Sequence, residues 1–469
     1  MKNNGLDMGI VHEFKTFAIK GRFAMKLTCE SSYLWLLTLT ILLSLSLPLD
    51  SFGGIEEDVK ELKERVDSIE KRQVKTAEGL REQLAYLERD LSVGDYRTAR
   101  IKAVEEKIGA FTLGGDLSFF LQGFSNPDGK DRVDGSYSGD LFLMVPIGGN
   151  GNLYLRGQVG EGEGIAGDLP PTFSGPNADT ASTGARFDLV EAWYRTTFPV
   201  PDVKDQRLDL TIGKMGATGI FDANAVANSE TTQFMANIFV NNLSVEFAGD
   251  ENGCGPGVVL GYRLTSIDRK DLKVMGRVGL FEGSINGEGI FKRVFDRPFV
   301  IGEVDIKRSS YGFDGNYRIY AWVNQNDHAN WEGTDNNLTN QGLGLSLDQR
   351  VSNDITLFAR YGFQEADVSK FDQVFTLGGQ IIGTGWRRKN DVIGVASGLL
   401  KTSSKYEDVS LSVDEYEAKG NENYIEAYYK YWANANLSIS PDFQYVINPG
   451  GDKEKDPLFI YSVRMQLTF

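Results

Sequence analysis

From Thr112 to Phe469 the chain is a succession of short segments in which apolar and polar residues alternate, separated by Gly, Asn and Asp. A period of two marks a strand with two different faces. FDLVEAWYRTTF places Val190, Ala192, Tyr194 and Phe198 on one face and Leu189, Glu191, Trp193 and Arg195 on the other. RLDLTIG sets Leu208, Leu210 and Ile212 against Arg207, Asp209 and Thr211. GNYRIYAWVNQ sets Tyr317, Ile319, Ala321 and Val323 against Arg318, Tyr320, Trp322 and Asn324. TLFARYGF sets Leu357, Ala359, Tyr361 and Phe363 against Thr356, Phe358, Arg360 and Gly362. NYIEAYYKYW sets Ile425, Ala427, Tyr429 and Tyr431 against Tyr424, Glu426, Tyr428, Lys430 and Trp432. The last nine residues, YSVRMQLTF, repeat the pattern: Tyr461, Val463, Met465, Leu467 and Phe469 alternate with Ser462, Arg464, Gln466 and Thr468.

One face of each segment is apolar, with small residues or a Tyr or Phe at its edge. The other is rich in Arg, Glu, Asp and Trp. A soluble sandwich alternates too, but its outer face favours Lys, Thr and Ser. A transmembrane barrel accounts for both faces: lipid takes the apolar one and a water-filled lumen the charged one. Allowing roughly 40–50 residues per hairpin, segment 112–469 holds about 14–18 strands. The expectation is an all-β, transmembrane, antiparallel barrel of 16 strands, wide enough for an aqueous channel. Two stretches are not clean strands, GEGEGIAGDLPPTFSGPNADTASTGA and IFDANAVANSETTQFMANIFVNN. Each reads as an outer loop, and one of them is expected to fold inward and narrow the pore.

The front of the chain follows other periods. YLWLLTLTILLSLSLPL, Tyr33 to Leu49, is the one long apolar run, and DSFGG after it has a small-x-small pattern at Ser51 and Gly53. This predicts a signal-peptide region over 1–53, cleaved near Gly53, with Met25 as an alternative start. Apolar residues then recur at Ile55, Val59, Leu62, Val66 and Ile69, and again at Ala77, Leu80, Leu84, Leu87 and Leu91. The steps of three and four are heptad steps, with one four-residue stutter through Gln73. A periplasmic α-helical coiled coil is expected over 54–92, about 55 Å long at 1.5 Å per residue. A short helix and linker fill 93–111, and the barrel follows at 112–469.

Composition sharpens this reading. Gly 53 and 11% aromatics against Pro 13 favour strands and tight turns over helices. Mean hydropathy is −0.28, which suits a barrel whose strands are only half apolar. A formal net charge of −16 argues against nucleic acid as a partner, since phosphate contacts need a basic face. Of the two cysteines, Cys29 falls in the leader and Cys254 stands alone; the two histidines, His12 and His328, are far apart. No metal site, cofactor or nucleophile–base pair follows from such a set, so an enzyme is not expected.

Several segments resemble the carbohydrate-selective outer-membrane porin family, the OprB-like porins. ITLFARYGF is similar to that family's Phe-Ala-Arg-Tyr-Gly strand. GWRRKNDVIGVASG is similar to its Arg-x-x-Asp-x-x-Gly-x-Ala segment, here Arg388, Asp391, Gly394 and Ala396. NENYIEAYYKYWANANLSISPDFQYVINPGGD resembles its most distinctive stretch, with Glu426, Tyr428 and Tyr429 before Pro441, Asp442, Gln444 and Tyr445 and the turn Asn448, Pro449, Gly450 and Gly451. IGKMGATGIFDAN also looks like a strand and loop of this group. The resemblance is dense over 355–469 and loose before it. It implies a 16-stranded barrel passing sugars by diffusion, and the coiled coil is a departure from many members.

A diffusion pore needs polar groups that replace part of a solute's hydration weakly enough to release it. Arg and Glu suit sugar hydroxyls, and Trp or Tyr offers a flat platform. By alternation, the inward candidates are Glu191, Trp193, Arg195, Arg207, Arg318, Trp322, Arg360, Arg388, Glu426 and Arg464. The expected function is passive, sugar-preferring diffusion of small hydrophilic solutes across the outer membrane of a Gram-negative-type bacterium. The expected partners are outer-membrane lipid, small sugars and the barrel-insertion machinery, with Tyr461, Val463, Met465, Leu467 and Phe469 as its assembly signal. The coiled coil would allow a homotrimer. The alternative is an envelope tether whose coiled coil braces the membrane from the periplasm, with the barrel as anchor.

Overall fold

The computed structural model describes residues 111–125, 132–179, 185–200, 206–265, 272–284, 291–292, 294–310 and 312–469. The signal region, the coiled coil and, apart from Phe111, the linker lie outside the described residues.

The alternating segments form sixteen strands: β1 (Thr112–Ser125), β2 (Arg132–Ile147), β3 (Gly151–Glu161), β4 (Arg186–Pro199), β5 (Arg207–Gly216), β6 (Cys254–Thr265), β7 (Leu272–Phe281) and β8 (Phe299–Ser310), then β9 (Phe313–His328), β10 (Leu338–Arg350), β11 (Ile355–Gln364), β12 (Phe371–Gly383), β13 (Arg388–Thr402), β14 (Glu422–Trp432), β15 (Leu437–Ile447) and β16 (Leu458–Thr468). Each pairs antiparallel with its sequence neighbours, and β16 returns to β1, closing the barrel. Closure leaves no free edge, so every strand's backbone groups find partners inside the wall, as a lipid environment demands.

The closing seam answers for the C-terminal residue. The ladder runs from Asp116 against Thr468 to Ser125 against Phe459. Phe469 extends it: its N–H donates to the Gly115 carbonyl at 3.0 Å, and the Gly115 N–H donates to the Phe469 carbonyl at 3.1 Å. A Cβ at residue 115 would lie 2.6 Å from the Phe469 ring, so the glycine is the seat of that ring.

The outer face carries Leu121, Phe187, Ile319, Leu343, Leu377, Val395, Phe443 and Val463, all exposed. An apolar surface wrapping a whole barrel is compatible with lipid and not with water. Among the described residues no helix is long and apolar enough to cross a membrane. Two helices lie in loops, α1 (Asn237–Val240) and α2 (Ser404–Asp414), the second capped by the Ser403 hydroxyl, which accepts from the Tyr406 N–H.

Connections at the end that holds Phe469 are short, as in 148–150, 311–312 and 351–354. Those at the other end include 162–185, 217–253 and 403–421. Both stretches that lacked strand character turn into the lumen, where the sequence predicted one. The alternation also slips within β4. Arg156 pairs with Glu191 and Gly157 with Leu189, so Val190 is an extra residue in a β-bulge. Leu189, expected on the polar face, therefore points outward and is 54% exposed, while Val190 is buried.

Candidate pore constriction

The segment 217–253 leaves β5, crosses the lumen and returns to β6. Its apolar residues form two clusters with inward side chains of the wall. Near its start Phe221 meets Phe281 edge-on, with ring centroids 6.2 Å apart, beside Phe299, Tyr320 and Trp322. Further along, Phe234 meets Tyr428 edge-on at 5.0 Å and Phe239 meets Tyr424 at 6.3 Å, among Ile238, Phe358 and Val446. Edge-to-face pairs contribute about 0.5–1.5 kcal/mol each beyond the area they bury. Room is made at Gly362, where a Cβ would collide with Asn242 and Ser244 of the crossing loop.

Polar groups fix the loop's position. Asp222 lies at its first turn with φ 56, in the left-handed region that Asp tolerates better than most residues. Its carboxylate accepts from Arg360 Nε at 3.0 Å, the Tyr320 hydroxyl at 2.8 Å and the Asn242 N–H at 2.7 Å. Burial pushes this carboxyl up, against the pull of Arg360. Arg360 also donates to the carbonyls of Phe239 at 2.7 Å and of Asp222 at 3.0 Å. On the far wall Glu426 accepts from the N–H groups of Met235 at 2.5 Å and Ala236 at 3.0 Å. Arg464 donates to the carbonyls of Glu230 at 2.5 Å and Gln233 at 2.8 Å. On the returning limb, Glu246 binds His328 Nε2 at 2.8 Å.

The described part of the 162–185 connection packs against the crossing loop. Its Ala178 N–H donates to the Met235 carbonyl, and Gly175 accepts from the Asn237 N–H. Glu422 gathers it in, accepting from the N–H groups of Phe173 at 2.8 Å and Ser174 at 3.0 Å. The same carboxylate takes the Gly450 N–H at 2.7 Å from the Asn-Pro-Gly-Gly turn, where Gly450 has φ 65.

The ten inward candidates therefore separate. Arg360, Glu426 and Arg464 hold the crossing loop. Arg318 lies in a buried wall network, 3.0 Å from Asp348 and 3.6 Å from Asp305. Trp322 is 4% exposed and packs against Phe299 under the loop, so its ring presents no open face. Arg388 corrects the alternation reading. The short helical turn Thr384–Trp386, Arg387 at φ 62 and a register shift before it bring Arg388 to the rim at the short-turn end. There it bonds Asp391 at 2.8 Å and lies over the outward Tyr431 ring. Arg207 is exposed at the same end and borders a recess with Asn152 and Thr197.

Glu191, Trp193 and Arg195 stand together on β4. Glu191 accepts from Arg156 Nε at 2.7 Å and from the Trp193 indole N–H at 3.0 Å. Trp193 is 7% exposed: Tyr154 stacks on it at 4.8 Å, and the Arg195 guanidinium lies 5.2 Å from its centroid. Its ring faces are thus taken by protein. Arg195 also donates to Thr211 at 3.1 Å. Inward polar side chains of β8–β16, such as Asp305, Ser346, Glu426 and Asp442, are buried, whereas Asp116, Asp140, Gln158, Glu191 and Arg195 on β1–β4 stay partly open. The crossing loop thus lies against one side of the lumen and faces a charged wall on the other. Asp116, Asp140, Arg156 and Glu230 were missed as site residues. The first three sit on strands whose alternation was legible, but Glu230 lies on a loop with no period to orient it.

A family model for the carbohydrate-selective porin, OprB family, matches residues 136–469. No curated protein matches at a significant level. Among solved structures, the high-pH structure of Pseudomonas putida OprB is similar, with 17% identity over 78% of this chain and 96% of its own, and a TM-score of 0.65. The low-pH structure of the same protein has 15% identity over 80% and 97%, with a TM-score of 0.48. The anion-selective porin from Comamonas acidovorans has 10% identity over 77% and 99%, with a TM-score of 0.45. The matched segment takes in nearly the whole barrel, including Arg360, Glu426 and Arg464. The chain belongs to the carbohydrate-selective porin family OprB and is an outer-membrane porin.

Proposed function

We propose that the protein is a passive pore that prefers small neutral sugars. One observation carries the reading: the loop-filled side of the lumen faces a wall where donors and acceptors alternate within a few ångströms. Arg195 supplies N–H groups, Asp140, Glu191 and Gln158 supply acceptor oxygens, and the buried Arg156 holds Asp140 and Glu191 in place beneath them. A sugar hydroxyl is both donor and acceptor, so such a wall replaces its hydration from either side, weakly enough for release. The aromatic platform expected of Trp193 is replaced here by polar contact, with Arg195 over the ring.

Liposome swelling with glucose, a disaccharide, an amino acid and gluconate tests this directly. Glucose should enter fastest, and Arg195→Ala should lower its rate more than that of glycine. Equal rates for all solutes of one size refute a sugar preference. The family description of OprB, the described barrel and the lumen-spanning loop all support a pore. The bracing and trimerising roles of the coiled coil rest on its heptads alone.

A further inference from the structure

A second set of inward groups takes little part in holding the loops. Asp116 on β1 and Asp140 on β2 are direct cross-strand partners on the lumen face. Like charges set opposite one another in a sheet repel, and this pair concentrates negative charge at one place on the lumen wall. Arg156 attends Asp140 at 2.9 Å but shares its guanidinium with Glu191. Two more carboxylates approach from the inserted segments. Asp179 accepts a hydrogen bond from the hydroxyl of Ser138, two residues before Asp140 on the same face. Glu230 lies where the crossing loop reaches Arg464, whose Nη1 is engaged by the carbonyls of residues 230 and 233. Burial raises the Asp179 carboxyl and favours its neutral form, and Glu230, Asp140 and Asp116 raise it further, so the other three carboxylates all lie within electrostatic reach of Asp179.

A separate observation points the same way. The buried oxygens Ser118 Oγ and Gln466 Oε1 have no hydrogen-bond partner. Ser118 is in register with both Gln466 and Ser138, one step along the lumen face from the Asp116–Asp140 pair. Ser118 and Gln466 are 0% and 3% exposed, so bulk water does not solvate them freely. These oxygens are closed to the passage, and the negative ends of their dipoles add to the carboxylates beside them.

We infer that this carboxylate-lined side of the passage makes the pore favour cations over anions, with Asp116, Asp140 and Glu230 as its determinants. The inference rests on the diffusion-pore reading. Among the described residues no three His, Cys, Asp or Glu side chains are spaced to hold a metal ion. A conduction path is consistent with that, because an ion must be drawn in and not kept. Carboxylates on a confined, low-dielectric wall raise the local concentration of counter-ions well beyond what the same charges do in open water.

Reversal potentials of the full-length protein in planar bilayers under a KCl gradient read the K⁺/Cl⁻ permeability ratio. The ratio should exceed about 3 near 0.1 M salt and fall towards one near 1 M, as the screening length shrinks from about 10 to about 3 Å. Asp116→Asn combined with Glu230→Gln should lower the ratio at least about twofold at low salt. Asp354→Asn, which neutralises one carboxylate in the β10–β11 turn, should leave it in place, as should its combination with Asp314→Asn, which matches the double variant's charge change. Glucose-driven swelling of the same vesicles confirms that each variant forms an open pore. A wild-type ratio at or below one, or a ratio that the double variant does not move, overturns the inference while the pore reading stands. Wild-type protein that conducts nothing overturns the pore reading instead.

Discussion

Replacing Arg360 with Gln should unseat one limb of the crossing loop and widen the pore. The Arg360 side chain is 1% exposed and that of Asp222 is 0%, with 3.0 Å between them. Gln at this position loses the charge and most of the donors that now reach the carbonyls of Phe239 and Asp222. Asp222 is then left buried with the Tyr320 hydroxyl and the Asn242 N–H. Breaking a buried pair by removing one partner costs about 3–5 kcal/mol. At about 1.4 kcal/mol per factor of ten, that changes the seated-to-unseated ratio of this limb by about 10²–10⁴. Glu426 and Arg464 hold the other limb through separate contacts, so the barrel and half of the constriction persist. Single-channel recording should show a larger mean conductance with added flicker, and liposome swelling should admit longer oligosaccharides. Tyr320→Phe removes a hydroxyl that donates to Asp222 and accepts from Asn242 Nδ2, worth about 1.5–3 kcal/mol, and should move both readouts less than Arg360→Gln does. An Arg360→Gln protein that keeps the heat-dependent gel shift of a folded barrel, with wild-type conductance and size cut-off, refutes the account of Arg360 as the loop's anchor.

Gly362→Val should act in the same direction by steric means, since any side chain there meets Asn242 and Ser244; an unchanged conductance would show that the loop is not seated on that strand. Deleting Phe469, or replacing Gly115 with Val beneath its ring, should reduce surface assembly in cells more than it destabilises barrels already folded in detergent, as read by heat-modified gel mobility of both pools. In α2 burial would raise the Asp414 carboxyl, but Lys370 and the Tyr406 hydroxyl hold it below its ordinary 3.8. A depressed carboxyl stabilises above its unfolded pKa and loses that contribution as pH falls through the folded one, so hydrogen-exchange protection in 404–414, corrected for the intrinsic rate at each pH, should fall only below about pH 4.

The barrel was legible because one side of each strand meets lipid and the other meets protein or water, and a period of two records that difference residue by residue. Arg318, Trp322, Arg360, Glu426 and Arg464 all point inward as the alternation implies. What alternation does not carry is what lies across the lumen. Arg360 and Arg195 are alike in sequence context, each an Arg amid aromatics on a polar face, yet one is sealed beneath a loop and the other stays partly open. The difference is made by residues more than a hundred positions away along the chain in one case, and by a β5 neighbour in the other. Alternation also fails where a strand changes phase. The bulge at Val190 reverses Leu189, and the tight turn before β13 carries Arg388 to the rim. A glycine lies at each slip, Gly157 opposite the bulge and Gly383 before the turn, but glycines recur along most strands and so do not announce it.

Two of the segments that pointed to the family, those around Arg360 and Glu426, have a shared physical task. Arg360 and Gly362, Glu426 and Tyr428, and the Asn448–Gly451 turn all receive or brace the inserted segments. The charged members reach the backbone of those segments. Glu426 takes the N–H groups of Met235 and Ala236, Arg464 the carbonyls of Glu230 and Gln233, Arg360 those of Asp222 and Phe239, and Glu422 the N–H groups of Phe173, Ser174 and Gly450. A backbone group is present whatever side chain accompanies it. The wall can therefore hold a loop of fixed path while leaving the loop's side chains free to differ. Residues such as Glu230, whose carbonyl is held and whose carboxylate is not required for that hold, can change the passage without unseating it. Seat and filter are thereby separable: substitutions at the wall charges that hold the loop, Arg360, Glu426 and Arg464, should alter whether the constriction exists, and substitutions at the open wall or at loop side chains, such as Arg195, Asp116 and Glu230, should alter what it prefers.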